Sequence, residues 1–192
     1  LQLVPHWNWP ADSIGKPLKV MALTNMEYVK LYLNGKKIKE GVVDKYQLVE
    51  WMVPYKPGKL EAVGFRAGKE IIRSVVETTG EATALQLLPY RNQLKADGAD
   101  VVPITVQAVD SKGRPVPTVQ QLLEFSIEGP AEIIGLGNGN PNSHEPEKGN
   151  RRSLFNGLAQ VIVQSKLGGR GEVKLTVRSE GLADFELKLR VE

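Results

Sequence analysis

Cysteine is absent from this chain of 192 residues, which excludes disulfide bonds, thiolate zinc sites and thiol catalysis. Aromatic residues are scarce at 6%, and no apolar run approaches the roughly 18 residues that a membrane-spanning helix needs. The chain also begins without methionine, a basic leader or an apolar leader. We therefore expect it to be a piece of a longer protein, and any signal peptide to lie outside it.

The charge of the chain is small and evenly spread. The net charge is +3, and the lysine and arginine residues are scattered rather than clustered. Nucleic-acid-binding domains present a basic stripe or patch, so this pattern argues against a nucleic-acid partner. The two histidines have no metal-ligand spacing around them, and we assign neither a metal nor a cofactor.

Turn-forming residues are slightly enriched, with 19 glycines and 12 prolines, which favours an all-β chain. In the first half, Val29, Leu31 and Leu33 lie at alternate positions directly before Asn34-Gly35. An Asn-Gly pair after an alternating strand predicts a hairpin, because both central positions of a type I′ turn need positive φ. Further short strands and Pro- or Gly-containing turns continue to residue 80.

The second half contains the most regular alternation. Val173, Leu175 and Val177 alternate with charged or hydroxyl residues, which is typical of a sheet with one wet face and one packed face. We count about seven strands and no convincing helix beyond residue 80. The sequence therefore predicts two tandem immunoglobulin-like β-sandwich domains, residues 1–80 and 81–192.

An aromatic cluster near the start is the first candidate contact site. His6, Trp7 and Trp9 lie within four residues of a chain that has only three tryptophans. Such side chains suit contact with a neighbouring domain or, less favoured, with a sugar. Alternatively, one tryptophan fills the local core and the other covers an edge, and the sequence leaves these possibilities open.

A polar segment at residues 137–157 is the second candidate. It is too rich in Gly, Asn and Pro to predict a strand or helix, and at about twenty residues it is longer than most connections. Loops of that length are usually functional or disordered, and we interpret this one as ordered and used. Its candidate contact residues are Asn138, Asn140, His144, Glu145, Arg151 and Arg152.

Structural roles for this loop compete with ligand binding. Arg151 or Arg152 can form a forked ion pair with Glu145 or Glu147, and this self-contained arrangement is favoured over direct ligand contact. Docking of the loop onto another domain is compatible with either role. The oxygen atoms that a calcium ion would use belong to Asn138, Asn140 and Glu145, but the loop has no aspartate.

Catalytic groups are not evident. Glu145 and Glu147 could share one side of an extended backbone, but solvated loop charge is the favoured interpretation. Ser143 directly precedes His144, and sequence neighbours on an extended chain point apart, so they do not form a catalytic pair. We assign no catalytic residue.

Several motifs resemble a known family. The first set resembles the domain that follows the catalytic barrel in bacterial family 2 glycoside hydrolases, particularly β-galactosidases of gut Bacteroidetes. It comprises residues 6–9, 29–35 and 46–54. The second set resembles the bacterial immunoglobulin-like domain that comes next in those enzymes. It comprises residues 137–145, 151–152, 155–158 and 161–164. Together these resemblances cover essentially the whole chain.

This resemblance implies a non-catalytic accessory region of a parent enzyme that cleaves terminal β-galactosides, or related β-glycosides, with retention. The catalytic glutamates would lie on a barrel preceding Leu1, and that barrel would be the chain's main partner. Carbohydrate contact, oligomer formation and a periplasmic or extracellular location are further expectations. The alternatives are a carbohydrate-binding module, against which the low aromatic content argues, and an adhesin-type domain pair, for which the expected near-identical repeats are not seen.

Overall fold

The computed structural model describes residues 1–44 and 46–192, and the regular structure there is almost entirely β-strand. The single helical element in these ranges is one 3-10 turn, Ala11–Ser13. A helix with the length and hydropathy to cross a bilayer does not occur among these residues. Two compact units, Leu1–Thr78 and Thr79–Glu192, make up the chain. The all-β prediction is confirmed.

The first unit is a sandwich of two antiparallel sheets. Its strands are β1 (Gln2–Val4), β2 (Pro17–Leu23), β3 (Tyr28–Leu33), β4 (Lys36–Val42), β5 (Val49–Pro54), β6 (Lys59–Arg66) and β7 (Lys69–Glu77). One sheet has the order β1-β2-β5 and the other β4-β3-β6-β7. Their inward side chains form one core, because alternate residues of each strand point to the same face. Its fully buried members include Val20, Val29, Leu31 and Leu60.

The Asn34-Gly35 turn between β3 and β4 confirms the predicted hairpin. Both residues have positive φ, 50° and 80°. The Asn34 amide then joins this turn to the next one: its Oδ1 accepts from the Lys59 N–H at 2.8 Å and its Nδ2 donates to the Pro57 carbonyl at 3.1 Å. Gly58 is required at this junction, since its φ is 133° and an added Cβ would lie 1.9 Å from Asn34 Oδ1.

The second unit is also a sandwich of two sheets. Its strands are β8 (Ala82–Pro89), β9 (Gln93–Leu94), β10 (Val101–Asp110), β11 (Leu122–Glu128), β12 (Ala131–Gly137), β13 (Arg151–Ser153), β14 (Leu158–Ser165), β15 (Gly171–Arg178) and β16 (Phe185–Val191). The sheet orders are β12-β14-β10-β8 and β13-β11-β15-β16-β9. This is more than the seven or so strands predicted, because β9 and β13 are too short to show alternation. The two sheets are consistent with an immunoglobulin-like sandwich.

Two aspartates fix turns of the second unit through arginine. Asp110, 3% exposed, accepts from Arg114 Nε at 2.9 Å and Nη2 at 2.7 Å, and also from the Gly80 N–H. Asp100 accepts from Arg91, with Nη1 donating to Oδ2 and Nη2 to Oδ1. The guanidinium groups hold the pKa values of both carboxyls well below their usual range. We did not predict these ion pairs from the sequence.

Candidate functional site

Trp7 lies in the core of the first unit. It is 0% exposed, and its ring packs against that of Tyr55 in a T-shaped arrangement with centroids 5.1 Å apart. Its Nε1–H donates to the Lys56 carbonyl at 2.9 Å, and its own carbonyl accepts from the Thr78 hydroxyl at 2.6 Å. Trp7 is therefore the tryptophan that fills the local core, and without exposed surface it is not available as a contact residue.

Trp9 and His6 remain at the surface. The Trp9 side chain is 36% exposed, and its ring lies 5.3 Å from that of His6 between centroids. Its Nε1–H donates to the His6 carbonyl at 3.1 Å, and its backbone N–H donates to the Tyr55 hydroxyl at 3.3 Å. The exposed edge of Trp9 is thus held in one orientation. Its contact role stays a prediction.

Protonation of His6 makes the stability of the first unit depend on pH. Burial lowers the pKa of His6 below its ordinary value of 6.5, and Nδ1 accepts from the Asn8 N–H at 3.2 Å, which requires that nitrogen to be unprotonated. Between the lowered pKa and 6.5 the unfolded chain binds more protons than the folded one, so stability is lost as the pH falls through this window. We expect His6→Gln to flatten the loss of stability between pH 7 and 5, measured as the urea midpoint of the first unit.

A parallel series with His144→Gln removes the other histidine and serves as the control. If the stability of His6→Gln depended on pH as strongly as that of the unmodified chain, His6 would not be the group responsible.

Arg152 organises the long loop of the second unit. It lies in β13 opposite Leu123 of β11, and the residue is 5% exposed. Its guanidinium donates from Nη1 to the Glu145 carbonyl and from Nη2 to Asn138 Oδ1, both at 3.0 Å. Its Nε lies 3.5 Å from Glu145 Oε2. One buried cation therefore holds the start, the middle and the end of the loop together.

Glu145 is the acidic counterpart of this arrangement. Its carboxylate accepts from the Ser153 hydroxyl and from the Ser153 N–H, the latter at 3.1 Å. These Ser153 donors, together with the charge of Arg152, hold the pKa of Glu145 below its ordinary value. A general acid in glycoside hydrolysis needs a raised pKa instead. Glu147 does not join Glu145 as a partner: its side chain is exposed and its backbone carbonyl accepts from the Leu136 N–H at 2.8 Å.

The loop asparagines support the backbone. Asn138 Oδ1 accepts from the Asn140 N–H and Asn140 Oδ1 accepts from the Asn142 N–H, both at 3.0 Å, while Asn138 Nδ2 donates to the Ser153 carbonyl at 2.9 Å. The oxygens considered for calcium thus accept from N–H groups and from Arg152. Within residues 1–44 and 46–192, no group of three or more His, Cys, Asp or Glu is placed to hold a metal ion.

Two loop predictions need correction. Residues 137–157 were expected to contain no strand, yet β13 lies within them, because Arg152 and Leu154 take inward positions beside β11. Arg151 does not bind a loop carboxylate. It pairs with Glu124 of β11 at 2.6 Å. Arg152 does not form the expected fork onto the Glu145 carboxylate either: only its Nε approaches Oε2, at 3.5 Å, while Nη1 donates to the Glu145 carbonyl and Nη2 to Asn138 Oδ1. His144 is exposed, and its contact role stays a prediction.

A family model for the glycoside hydrolase family 2 C-terminal domain 5 matches residues 85–188, more than half of the chain. The chain belongs to glycoside hydrolase family 2. A second model, described as a domain of unknown function (DUF4982), matches residues 15–72 of this family 2 chain. The two matched segments fall in the two different units.

Relatives of this family 2 chain are much longer than it is. The β-galactosidase BoGH2A of Bacteroides ovatus is 35% identical over 100% of this chain and 22% of its own length. A β-glucuronidase of Formosa agariphila is 32% identical over 99% of this chain and 19% of its own. The crystal structure of a β-glycosidase from Bacteroides vulgatus superimposes with a TM-score of 0.91 at 29% identity, covering 98% of this chain and 24% of that one. The chain therefore spans about a fifth to a quarter of these relatives.

The burial of Arg152 is the feature of this family 2 region that sequence reasoning missed. A signal for it was present, since Arg152 and Leu154 are two apart and precede an alternating strand. Two-residue spacing puts both side chains on one face of an extended backbone. The sequence alone does not tell that this face is the buried one, because a charged residue is almost never fully buried without partners.

Proposed function

We propose that this chain is a non-catalytic accessory region of a family 2 glycoside hydrolase and that it braces the part of the protein that carries the catalytic glutamates. For the whole protein we propose hydrolysis of a terminal β-glycoside. A β-galactoside is the first choice of sugar and a β-glucuronide the second, because relatives named for these two activities are 35% and 32% identical over the whole chain or nearly so.

The composition of the surface grooves carries the proposal. Retaining hydrolysis needs two carboxyl groups about 5 Å apart across a cleft. Three surface grooves of the described part of the chain have volumes of 400, 450 and 500 Å³. The first has Glu192 as its one acidic lining residue, the second has Glu172, and the third has no acidic lining residue. None of the three offers the pair of acidic residues that the chemistry requires.

The state of the carboxyl groups adds support. Each carboxyl with a shifted pKa has it lowered, by an arginine, a lysine or a serine that donates hydrogen bonds to it; these groups are Glu40, Glu70, Asp100, Asp110 and Glu145. A general acid must remain protonated near neutral pH, which a lowered pKa opposes. These acids serve the fold.

The burial of Trp7 argues against the carbohydrate-binding alternative. A sugar platform needs exposed and coplanar aromatic rings, and one of the two clustered tryptophans has no exposed surface. An accessory role requires only folded sandwiches with fixed surfaces, which the arginine-centred loop and the buried aromatic pair provide.

Removal of this region from the whole protein tests the proposal. We expect the shortened protein to lose thermal stability and part of its rate on a nitrophenyl β-glycoside, because the remaining part loses a packed neighbour while keeping its catalytic groups. A shortened protein with unchanged melting temperature and unchanged rate would contradict a bracing role. A complete loss of rate in a shortened protein that remains folded would point instead to catalytic groups within this chain.

A further inference from the structure

Three adjacent strands of one sheet of the second unit differ sharply in outward charge from the strands of the other sheet. The fourth strand of the first sheet, the edge strand β12, carries the exposed Glu132 beside Gln164. We call the outward residues of β8, β10 and β14 the uncharged face, and those of β11, β13, β15 and β16 the ion-paired face. Both faces belong to the same sandwich, so each is an internal reference for the other.

The ion-paired face has the composition of a sheet that stays in water. Lys174 pairs with Glu186 at 2.8 Å, and Lys188 pairs with Glu172 at 3.2 Å. These side chains are between 39% and 63% exposed, and all four belong to the outward set of β15 and β16. Charges in such positions cost little and keep a sheet face from associating with other surfaces.

The uncharged face has no such groups. Leu88, Thr105 and Gln160 form one row across its three strands, and Gln86, Gln107 and Leu158 form the next. Gln107 Nε2 donates to Gln86 Oε1 at 2.9 Å, so even the polar groups partly satisfy one another. Every other outward position on these three strands is also uncharged.

Exposed apolar side chains accompany this lack of charge. Leu88 and Leu158 are each 43% exposed, and Tyr90, directly after β8, is 85% exposed. Depletion of charge together with aromatic enrichment is the compositional signal of an interface centre, because burying an unpaired charge is costly whereas burying amides, hydroxyls and aliphatic groups is not.

We propose that the uncharged face docks against an uncharged surface of the remainder of the same family 2 protein. This rests on the proposed accessory function. The occupant follows from the length of the relatives. This chain covers only 19% to 24% of the length of the relatives reported above, and the family model that it matches is described as a C-terminal domain. Most of such a protein therefore lies outside this chain. A tethered partner is present at high effective concentration, so a face without ion pairs is sufficient for docking.

Hydroxyl-radical labelling of the whole protein tests the docking. Leu88 and Leu158 are 43% exposed and Leu122, on the ion-paired face, is 45% exposed, so the three leucines form a matched set. We expect Leu88, Leu158 and Tyr90 to be labelled several-fold less than their exposure in this chain predicts, and Leu122 to be labelled in proportion to its exposure. Equal labelling of the three leucines would overturn the proposal.

The same experiment at several dilutions, with the mass measured by light scattering, identifies the occupant. Protection that persists in the monomer supports intramolecular docking. Protection that appears only in an oligomer would assign the face to a second copy and overturn the proposed occupant. The accessory function is tested separately by hydrolysis assays, so failure of docking and failure of that function give different results.

A charge introduced on each face provides matched variants. Gln160→Lys places a cation on the uncharged face and Ser126→Lys places one on the ion-paired face, both at exposed positions in strands. We expect Gln160→Lys to restore labelling of Leu88 and Leu158 in the whole protein, and Ser126→Lys to leave their protection unchanged. Equal behaviour of the two variants would contradict docking. If either variant does not fold, the labelling of the unmodified protein tests the proposal instead.

Discussion

Replacing Trp7 by alanine is expected to destabilise the first unit by about 3–5 kcal/mol, the usual cost of truncating a buried tryptophan. The indole is 0% exposed, and the change also removes the donor to the Lys56 carbonyl. A unit of this size is stable by roughly 4–12 kcal/mol, so the loss is a large fraction of the total. Tryptophan fluorescence during urea unfolding measures this unit alone, because all three tryptophans lie before residue 79.

Trp9→Ala is the matched control for this experiment. Trp9 belongs to the same segment but is 36% exposed, and we expect a loss of roughly 1–2 kcal/mol from its smaller buried area. If Trp7→Ala cost no more than Trp9→Ala, the core role of Trp7 would be refuted, and both tryptophans would again be candidates for a contact surface.

Replacing Arg152 by alanine is expected to destabilise the second unit by about 2–3 kcal/mol, less than the loss of a fully buried ion pair because the Glu145 side chain is 33% exposed. The change leaves the Glu145 carbonyl and Asn138 Oδ1 without their guanidinium donor. Lysine at this position should not restore the loss, since an ammonium cannot reproduce the planar guanidinium donors that reach the Glu145 carbonyl and Asn138 Oδ1 together. The free energy of unfolding is measured by circular dichroism, because the second unit contains no tryptophan.

Arg151→Ala supplies the adjacent control. The Arg151 side chain is 63% exposed and pairs with Glu124 on the surface, so its removal is expected to cost under about 0.5 kcal/mol. Equal effects of the two alanine variants would mean that the loop does not depend on its buried arginine, and that the Glu145 contacts are incidental.

The predictable part of this fold depended on local pattern. Val173, Leu175 and Val177 are each 0% exposed, as their strict alternation predicts, and Asn34-Gly35 forms the turn that its φ requirement predicts. These signals are contained within a few residues. They could therefore be interpreted without knowing what lies across the sandwich.

The unpredictable part depended on distant partners. Trp7 forms hydrogen bonds with Lys56 and Thr78, which lie 49 and 71 residues further along the chain, and no local pattern indicates such contacts. β9 is two residues long and pairs in parallel with β16, whose sequence lies almost at the other end of the unit. Contact roles for Trp9 and His144 depend on a partner that the chain does not include, so they stay predictions.

Hydrolysis by the chain on its own tests the accessory role most directly. The purified chain, shown to be folded by circular dichroism and tryptophan fluorescence, is assayed with nitrophenyl β-galactoside and β-glucuronide beside the whole protein. We expect no rate above buffer for the chain and saturable turnover for the whole protein, because paired carboxyls are missing from the grooves described above. Saturable turnover that copurifies with the folded chain would contradict a non-catalytic role.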